Sequence, residues 1–288
     1  MAKVAFLGLG IMGFPMAGHL AAKGGHHVTV YNRSADKAAR WLALHDGAAA
    51  STPKAAAQGQ DVVFICVGND DDLRSVALGP DGAMAGMRAD AILVDHTTAS
   101  AQAARELANE AACGNMHFID APVSGGQAGA ENGALTIMCG GQPEAYARAE
   151  PVMAAYAKAC RLMGAAGAGQ LTKMVNQICI AGLVQALSEG IAFARKAGLD
   201  PADVLAAISK GAAQSWQMDN RSVTMAAEKF DFGFAVDLMR KDLAICLGEA
   251  RRNGAQLPVT ALVDQFYARV QHDGGGRRDT SSLISLLG

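Results

Sequence analysis

The apolar run Lys3-Val-Ala-Phe-Leu7 passes directly into Gly8-Leu9-Gly10-Ile11-Met12-Gly13, and that junction constrains the fold more than any other stretch of the chain. A short strand must turn at once into a helix, because Met16, Ala17, Leu20 and Ala21 follow at helical spacing with Pro15 in the first turn. Val28–Tyr31 then supplies a second strand and completes a βαβ unit. In such a unit Gly8 permits the tight turn, and Gly10 lets a pyrophosphate approach the backbone. Gly13 lets the helix lie close on the strand, and the helix N-terminus offers N–H groups and positive dipole to phosphates. The hexapeptide, Leu9, Ile11 and Met12 included, is predicted to contact a dinucleotide.

The end of the second strand bears on which dinucleotide. Units that prefer NAD place an acidic side chain about 20 residues beyond the glycines, where it accepts hydrogen bonds from ribose hydroxyls. This chain has Asn32-Arg33-Ser34 there, and no carboxylate before Asp36. A guanidinium binds a 2′-phosphate that a carboxylate would repel, so NADP(H) is expected in preference to NAD(H). The competing reading makes Arg33 a solvated loop residue, or one that stacks on adenine without discriminating.

The length of 288 residues allows one large domain or two ordinary ones. Along residues 1–165 short strands alternate with helices: Asp61–Val67, Ala91–Asp95, His117–Asp120 and Leu135–Cys139 follow the first two strands, with helices over Ala35–His45 and Ser100–Cys113 between them. Most of these strands are apolar on both faces, as in a parallel sheet covered by helices on both sides. The expectation is a doubly wound α/β domain over 1–165. The glycines Gly164, Gly167 and Gly169 mark a boundary, after which the strand signal stops. Residues 166–288 read as an all-helical domain that opens with one long helix, about Leu171 to Lys196, apolar nearly all round and so expected to be buried on most faces. Further helices are expected over Pro201–Lys210, Ser222–Lys229, Phe234–Asn253 and Pro258–His272, and the tail from Gly274 as a flexible arm with a short final helix.

Composition narrows the function classes. Net charge is −2, and no basic patch interleaved with aromatics argues for nucleic acid. No run of about 18 uninterrupted apolar residues appears, so no membrane span is expected. Glycines and Pro15 interrupt the apolar N-terminus, which does not read as a secretion signal. Six scattered cysteines without a CxxC pair read as reduced thiols of a cytoplasmic protein, and no metal site is expected. Asn69-Asp70-Asp71-Asp72 is read as helix capping and first-turn dipole pairing.

Three places carry candidate chemistry. Lys173 stands near the start of the long apolar helix, where an ammonium costs desolvation unless it has a partner or a cleft; the alternative is a first-turn lysine reaching out to water. Asn176 and Gln177 share its helical face at i+3 and i+4, so an ammonium and two amides could hold and protonate a carbonyl oxygen. An unperturbed lysine, with a pKa of ~10.4, is a poor base at neutral pH, and a desolvated cleft should lower it. Ser124-Gly125-Gly126 leaves a strand and presents a hydroxyl and two backbone N–H groups that suit a carboxylate, although a plain strand-exit loop explains it at least as well. Thr98 ends another strand on the ligand-binding side of a doubly wound sheet, with helix capping as the competing reading. Lys241-Asp242 reads as a solvated charge pair on a later helix.

Taken together, these segments resemble the β-hydroxyacid dehydrogenase family over essentially the whole chain. GLGIMGFPMAGHL (8–20) is similar to its cofactor turn and DAPVSGGQAGAENGALTIMCGG (120–141) to its substrate loop. GAGQLTKMVNQ (167–177) is similar to its catalytic-lysine segment and FAVDLMRKDL (234–243) to its cofactor-closing segment. The resemblance implies a Rossmann domain, a helical domain and an active site between them. It makes Lys173 the catalytic lysine, Asn176 its neighbouring amide, and Ser124, Gly125, Gly126 and Gln177 substrate contacts. Val67, Thr98, Phe234 and Lys241 become cofactor contacts beside the glycine turn and Asn32–Ser34. Some relatives carry Asn where this chain has Gln177. The implied activity is hydride transfer between NAD(P) and a small carboxylate-bearing hydroxyacid or semialdehyde, of the 3-hydroxyisobutyrate or glyoxylate–succinic semialdehyde type, in a homodimer or homotetramer. An imine or amine oxidoreductase and a non-catalytic NADP-binding scaffold remain as alternatives.

Overall fold

Lys3–Leu7 forms β1, from which the sheet grows in both directions; its residues Val4 to Leu7 are wholly buried, because apolar layers cover both faces. In the computed structural model, which describes residues 1–287, the chain divides into two units between Lys173 and Met174.

The first unit follows β1 with α1 (Gly13–Ala22), β2 (His27–Tyr31), α2 (Ala35–Leu42), β3 (Ala48–Ala49) and α3 (Pro53–Ala57). Next come β4 (Val62–Ile65), α4 (Asp70–Leu78), β5 (Ile92–Asp95), α5 (Ala101–Cys113), β6 (His117–Asp120), β7 (Val123–Ser124), α6 (Gly126–Glu131) and β8 (Leu135–Gly141). The unit closes with α7 (Pro143–Met153), β9 (Ala157–Gly164) and the first turn of α8 (Ala168–Lys196). The sheet runs β3-β2-β1-β4-β5-β6-β8-β7, with β9 paired to β8. Alternate residues of β1 serve opposite faces: Val4 and Phe6 pack with Met16, Leu20 and Trp41, while Ala5 and Leu7 pack with Leu73, Leu93 and Leu107.

Strands β1 to β6 pair with one another in parallel, as the two-sided apolar runs imply. The sheet is mixed beyond them, since β8 runs antiparallel to β6 and β7. Strand β9 is the element that the sequence pattern hides. It pairs with β8 alone, and Lys158, Arg161 and Met163 are exposed, so its residue types look like those of a connection.

Register gives the unit its functional edge. Tyr31, Leu7, Ile65, Asp95 and Asp120 form one row across five parallel strands, each at or next to its strand's C-terminal end. The chain therefore leaves the sheet on the same side after Tyr31, Leu7, Ile65, Asp95 and Asp120, which is where an open α/β sheet binds ligands.

The second unit contains the rest of α8, then α9 (Pro201–Ile208), α10 (Trp216–Ala226), α11 (Val236–Asn253), α12 (Pro258–Val270) and a 3₁₀ segment over Thr280–Leu286. Two apolar clusters hold it. In one, Ala181 and Val184 meet Val236, Met239, Leu243, Val263 and Tyr267; in the other, Leu187 and Ile191 meet Met218, Met225, Phe230 and Ile284.

Three expectations change here. The third expected helix of the unit begins at Trp216, because Ser215 caps it through the Met218 N–H at 3.1 Å; the polar residues that follow mask its periodicity. The tail is packed. Asp279 is fully buried and accepts hydrogen bonds from Phe234 N–H, Arg221 and Ser281, which anchors the buried Thr280–Ile284. Helix α8 is not covered all round, since Val175, Leu183 and Phe193 are exposed, Phe193 at 73%. By length and composition α8 could cross a membrane. Its inward face, however, is taken up by the two clusters, and it buries Gln177, Gln185 and Ser188, as a core helix of a folded unit does.

Candidate functional site

The glycine turn fits a dinucleotide on its own geometry. Gly8 has φ of +101°, and a Cβ there would lie 2.2 Å from the Cys66 carbonyl oxygen, so only glycine makes the turn. A Cβ at Gly10 would meet nothing within 4 Å, which leaves open space where a pyrophosphate would lie. The first turn of α1 holds no acidic residue, and Met12 at its N-cap makes no side-chain cap bond. Phe14 N–H is taken by the Gly10 carbonyl at 3.0 Å and Pro15 has no N–H, so the turn offers an anion the helix dipole and the amides that precede Phe14. Leu9 is buried and Ile11 is 58% exposed.

The residues after β2 take different tasks. Asn32 holds the turn: its Oδ1 accepts the Leu9 N–H at 2.9 Å, and its Nδ2 donates to the Ser34 carbonyl at 3.0 Å. Ser34 sits at the N-cap of α2. The Arg33 side chain is 90% exposed, its guanidinium 3.6 Å from Asp72. Asn69 caps α4 through the Asp72 N–H, and Asp70 accepts from both the N–H and the hydroxyl of Ser100. Asn69 is therefore the cap and the three aspartates fill the first turn of α4, as their position suggests.

Beyond β4 and β5, Val67 N–H donates to Thr97 Oγ1 at 3.1 Å, and Thr97 N–H donates to Asp95 Oδ1 at 2.9 Å. Thr98 follows, half-buried. Ser124 closes β7 opposite Thr136, half-buried, and the exposed Gly125 and Gly126 have φ of +133° and +60°. Lys173 lies on α8 and is 7% exposed, so the first-turn lysine reaching to water is not what forms. The N–H groups of Gly167 and Gln170 donate to Asp120 at 2.7 and 2.8 Å. The first turn of α8 is thus fixed to the end of β6, and within this unit the segments bearing Thr98 and Lys173 are tied to adjacent strand ends.

Burial sets the charges along this edge. Desolvation raises the Asp95 carboxyl to about 7 and the Asp120 carboxyl to about 6. It lowers the His96 imidazole to about 4. His96 faces the Ala121 carbonyl through Nδ1 at 2.6 Å and the Tyr156 hydroxyl through Nε2 at 2.8 Å. A carbonyl only accepts, so the proton is on Nδ1, and the Tyr156 hydroxyl donates to Nε2.

In the second unit, Asn176 Nδ2 donates to Gln177 Oε1 at 2.8 Å, and Gln177 Nε2 donates to Asp242 Oδ2 at 2.6 Å. Lys241 Nζ lies 3.1 Å from Asp242 Oδ1. Asp242 is 2% exposed, so the reading of Lys241-Asp242 as a solvated pair is wrong. A signal was present: Met239, Asp242, Leu243 and Cys246 recur at helical spacing, which puts Asp242 on the buried stripe of α11. Phe234, half-buried, donates its N–H to Asp279. Asp120 and Gln170 lie within segments 120–141 and 167–177, but a buried cap leaves no mark in residue spacing.

Comparison with known proteins covers the whole chain. Residues 3–164 match the family described as the NAD binding domain of 6-phosphogluconate dehydrogenase, and residues 167–287 the one described as NAD-binding of NADP-dependent 3-hydroxyisobutyrate dehydrogenase. An uncharacterized oxidoreductase of Shewanella frigidimarina is 64% identical over 287 residues, covering 100% of this chain and 98% of its own. The probable 3-hydroxyisobutyrate dehydrogenase-like 1, mitochondrial, of Arabidopsis thaliana is 42% identical, over 99% of this chain and 85% of its own. Among solved structures, the 3-hydroxyisobutyrate dehydrogenase of Mycobacterium tuberculosis with L-serine aligns with a TM-score of 0.92 at 30% identity, over 100% of this chain and 99% of that one.

Proposed function

The chain belongs to the NAD(P)-binding β-hydroxyacid dehydrogenase family, that of 3-hydroxyisobutyrate dehydrogenase, and from that premise we propose that it interconverts a small β-hydroxyacid and its semialdehyde with Lys173 as general acid and base. The single observation that supports this most is the placement of Lys173: a buried ammonium one turn along a helix whose start is fixed to the ligand side of the sheet.

Bound nicotinamide supplies the hydride in reduction and takes it up in oxidation. The residues do the rest. In reduction, the Lys173 ammonium donates to the carbonyl oxygen and passes a proton to the alkoxide as negative charge develops there. In oxidation, its neutral amine takes the hydroxyl proton. Asn176 donates its second Nδ2 hydrogen to the same oxygen, the first being held by Gln177. The Ser124 hydroxyl and the Gly125 and Gly126 amides hold the substrate carboxylate, which fixes the carbonyl carbon for attack. Gly8–Gly13 and the α1 N-terminus hold the pyrophosphate, Val67, Thr98, Phe234 and Lys241 hold the nicotinamide half, and Arg33 the 2′-phosphate, which favours NADP(H). Exposed Val175, Leu183 and Phe193 on one helix are consistent with self-association as a homodimer or homotetramer.

The test is a panel of glyoxylate, succinic semialdehyde, methylmalonate semialdehyde, tartronate semialdehyde and the matching hydroxyacids, run beside imines and amines and read by reduced-nicotinamide absorbance. Turnover of a carboxylate-bearing semialdehyde is expected. Turnover of imines or amines alone, or cofactor binding without turnover, would contradict the proposal.

A further inference from the structure

Three segments of the first unit must be held in register by the proposed reaction, and they lie at different points of the chain: Thr98 beyond β5, Ser124 beyond β6, and Lys173 on α8. Two buried side chains join the first and third of them. Asp120, the last residue of β6, is wholly buried and accepts the Gly167 N–H at Oδ1 (2.7 Å) and the Gln170 N–H at Oδ2 (2.8 Å). The start of α8 is thereby capped from the sheet. Gln170 is also wholly buried, and its amide turns the other way. Its Nε2 donates to the Thr97 carbonyl at 2.7 Å, and its Oε1 accepts the Ala99 N–H at 3.1 Å. Thr98 lies between those two backbone groups, so one side chain clamps the loop on both sides of it. Lys173 is three residues beyond Gln170, close to one turn further along the same helix. The joint has little room to slide, because a Cβ at Gly169 would lie 2.3 Å from the Met138 carbonyl oxygen.

We propose that Gln170, seconded by Asp120, is a positioning residue that sets the register of the Thr98 loop against Lys173. Apolar side chains at these two places would hold the layers together with less desolvation. Hydrogen bonds aimed at chosen backbone atoms add direction, which dispersion does not. The assignment rests on the reading of Lys173 as the proton carrier.

Gln170→Met keeps length and volume while removing both bonds to the loop. In the variant, kcat is expected to fall at least about tenfold, since small displacements of a reacting group are costly. The substrate is whichever of glyoxylate, succinic semialdehyde or methylmalonate semialdehyde the wild type turns over fastest. Its KM and the fluorescence-determined Kd of NADPH should stay within about threefold. In the cofactor-free protein, exchange of the Ala99 amide hydrogen should quicken at least about tenfold as its acceptor is lost. In a Lys173→Ala background the same substitution should change the residual rate by less than about twofold, because no ammonium is left to misplace. Equal losses in both backgrounds, or an unchanged kcat with only a lowered Tm, would overturn the assignment. Should Gln170→Met not fold, Asp120→Asn, which keeps the shape but leaves the Gly167 or Gln170 N–H without its acceptor, is held to the same pattern in kcat, KM, coenzyme Kd and the Lys173→Ala background. Wild-type turnover by Lys173→Ala would remove the parent reading and this assignment together. An inactive Lys173→Ala beside a fully active Gln170→Met would remove the assignment alone.

Discussion

Gln177 donates through Nε2 to Asp242 Oδ2 at 2.6 Å, joining α8 to α11 inside the helical unit. Through Gln177 Oε1 the same amide fixes Asn176, and Lys241 Nζ approaches the other carboxylate oxygen of Asp242. Three residues assigned to substrate or cofactor therefore hang on one buried carboxylate. With an amide and a lysine side chain as partners, the buried Asp242 side chain gives both a fixed orientation.

Removing that acceptor should be expensive. Asp242→Ala is expected to lower unfolding free energy by about 2 kcal/mol or more, the scale of a lost charge-assisted hydrogen bond plus a stranded donor. Asp242→Asn, which can still accept from Gln177, should lose less. Urea denaturation of both variants checks the order, and equal losses would contradict it.

In the proposed reading the choice of coenzyme turns on Arg33. Arg33→Ala should weaken NADPH by about tenfold or more, the worth of a charge-assisted bond, and leave NADH within about twofold. Fluorescence titration with each coenzyme measures both. Equal weakening of the two would show that the guanidinium does not read the 2′-phosphate.

Asp95 carries a pH signature. Its carboxyl titrates near 7 in the folded chain against 3.8 for an ordinary one, so the folded state holds a proton that the unfolded state has already released. The stability this gives is present below the ordinary value and is lost as pH rises towards 7. Asp95→Asn mimics the protonated form, and the Tm of the variant relative to wild type should climb between about pH 4 and pH 7. A difference that stays flat or falls over that range would refute the assignment.

His96 offers a second check, independent of the reaction. Tyr156→Phe deletes the only hydroxyl that donates to His96 Nε2 among the described residues. A buried acceptor is left without a donor, and the expected loss is about 1–3 kcal/mol of stability. Chemical denaturation reads it, while KM should not move.

Much of this was legible in the sequence because local rules and the global fold agree. The Gly8–Gly13 turn sits between two strands, Ser100 caps α5 as its position suggests, and the apolar runs around Phe6, Phe64 and Val94 demand a sheet covered on both faces. What stayed hidden was decided by tertiary partners. Strand β9 is held by β8 alone and shows charged residues outward, so no alternation marks it. The tail from Gly274 looks loose by composition, yet Asp279 ties it to Phe234, far away in sequence. Asp242 reads as solvated from its adjacency to Lys241, whereas its place on the buried stripe of α11 decides its burial. Asp120 and Gln170 act through backbone amides, which every residue has and no motif can display.

The account's central claim is that Lys173 moves the proton. The most direct measurement is semialdehyde reduction by Lys173→Ala, with NADPH affinity determined on the same preparation. The account predicts a loss of at least ~100-fold in turnover, the low end for a positioned acid or base, with coenzyme binding retained. Turnover close to wild type with NADPH bound normally would contradict it.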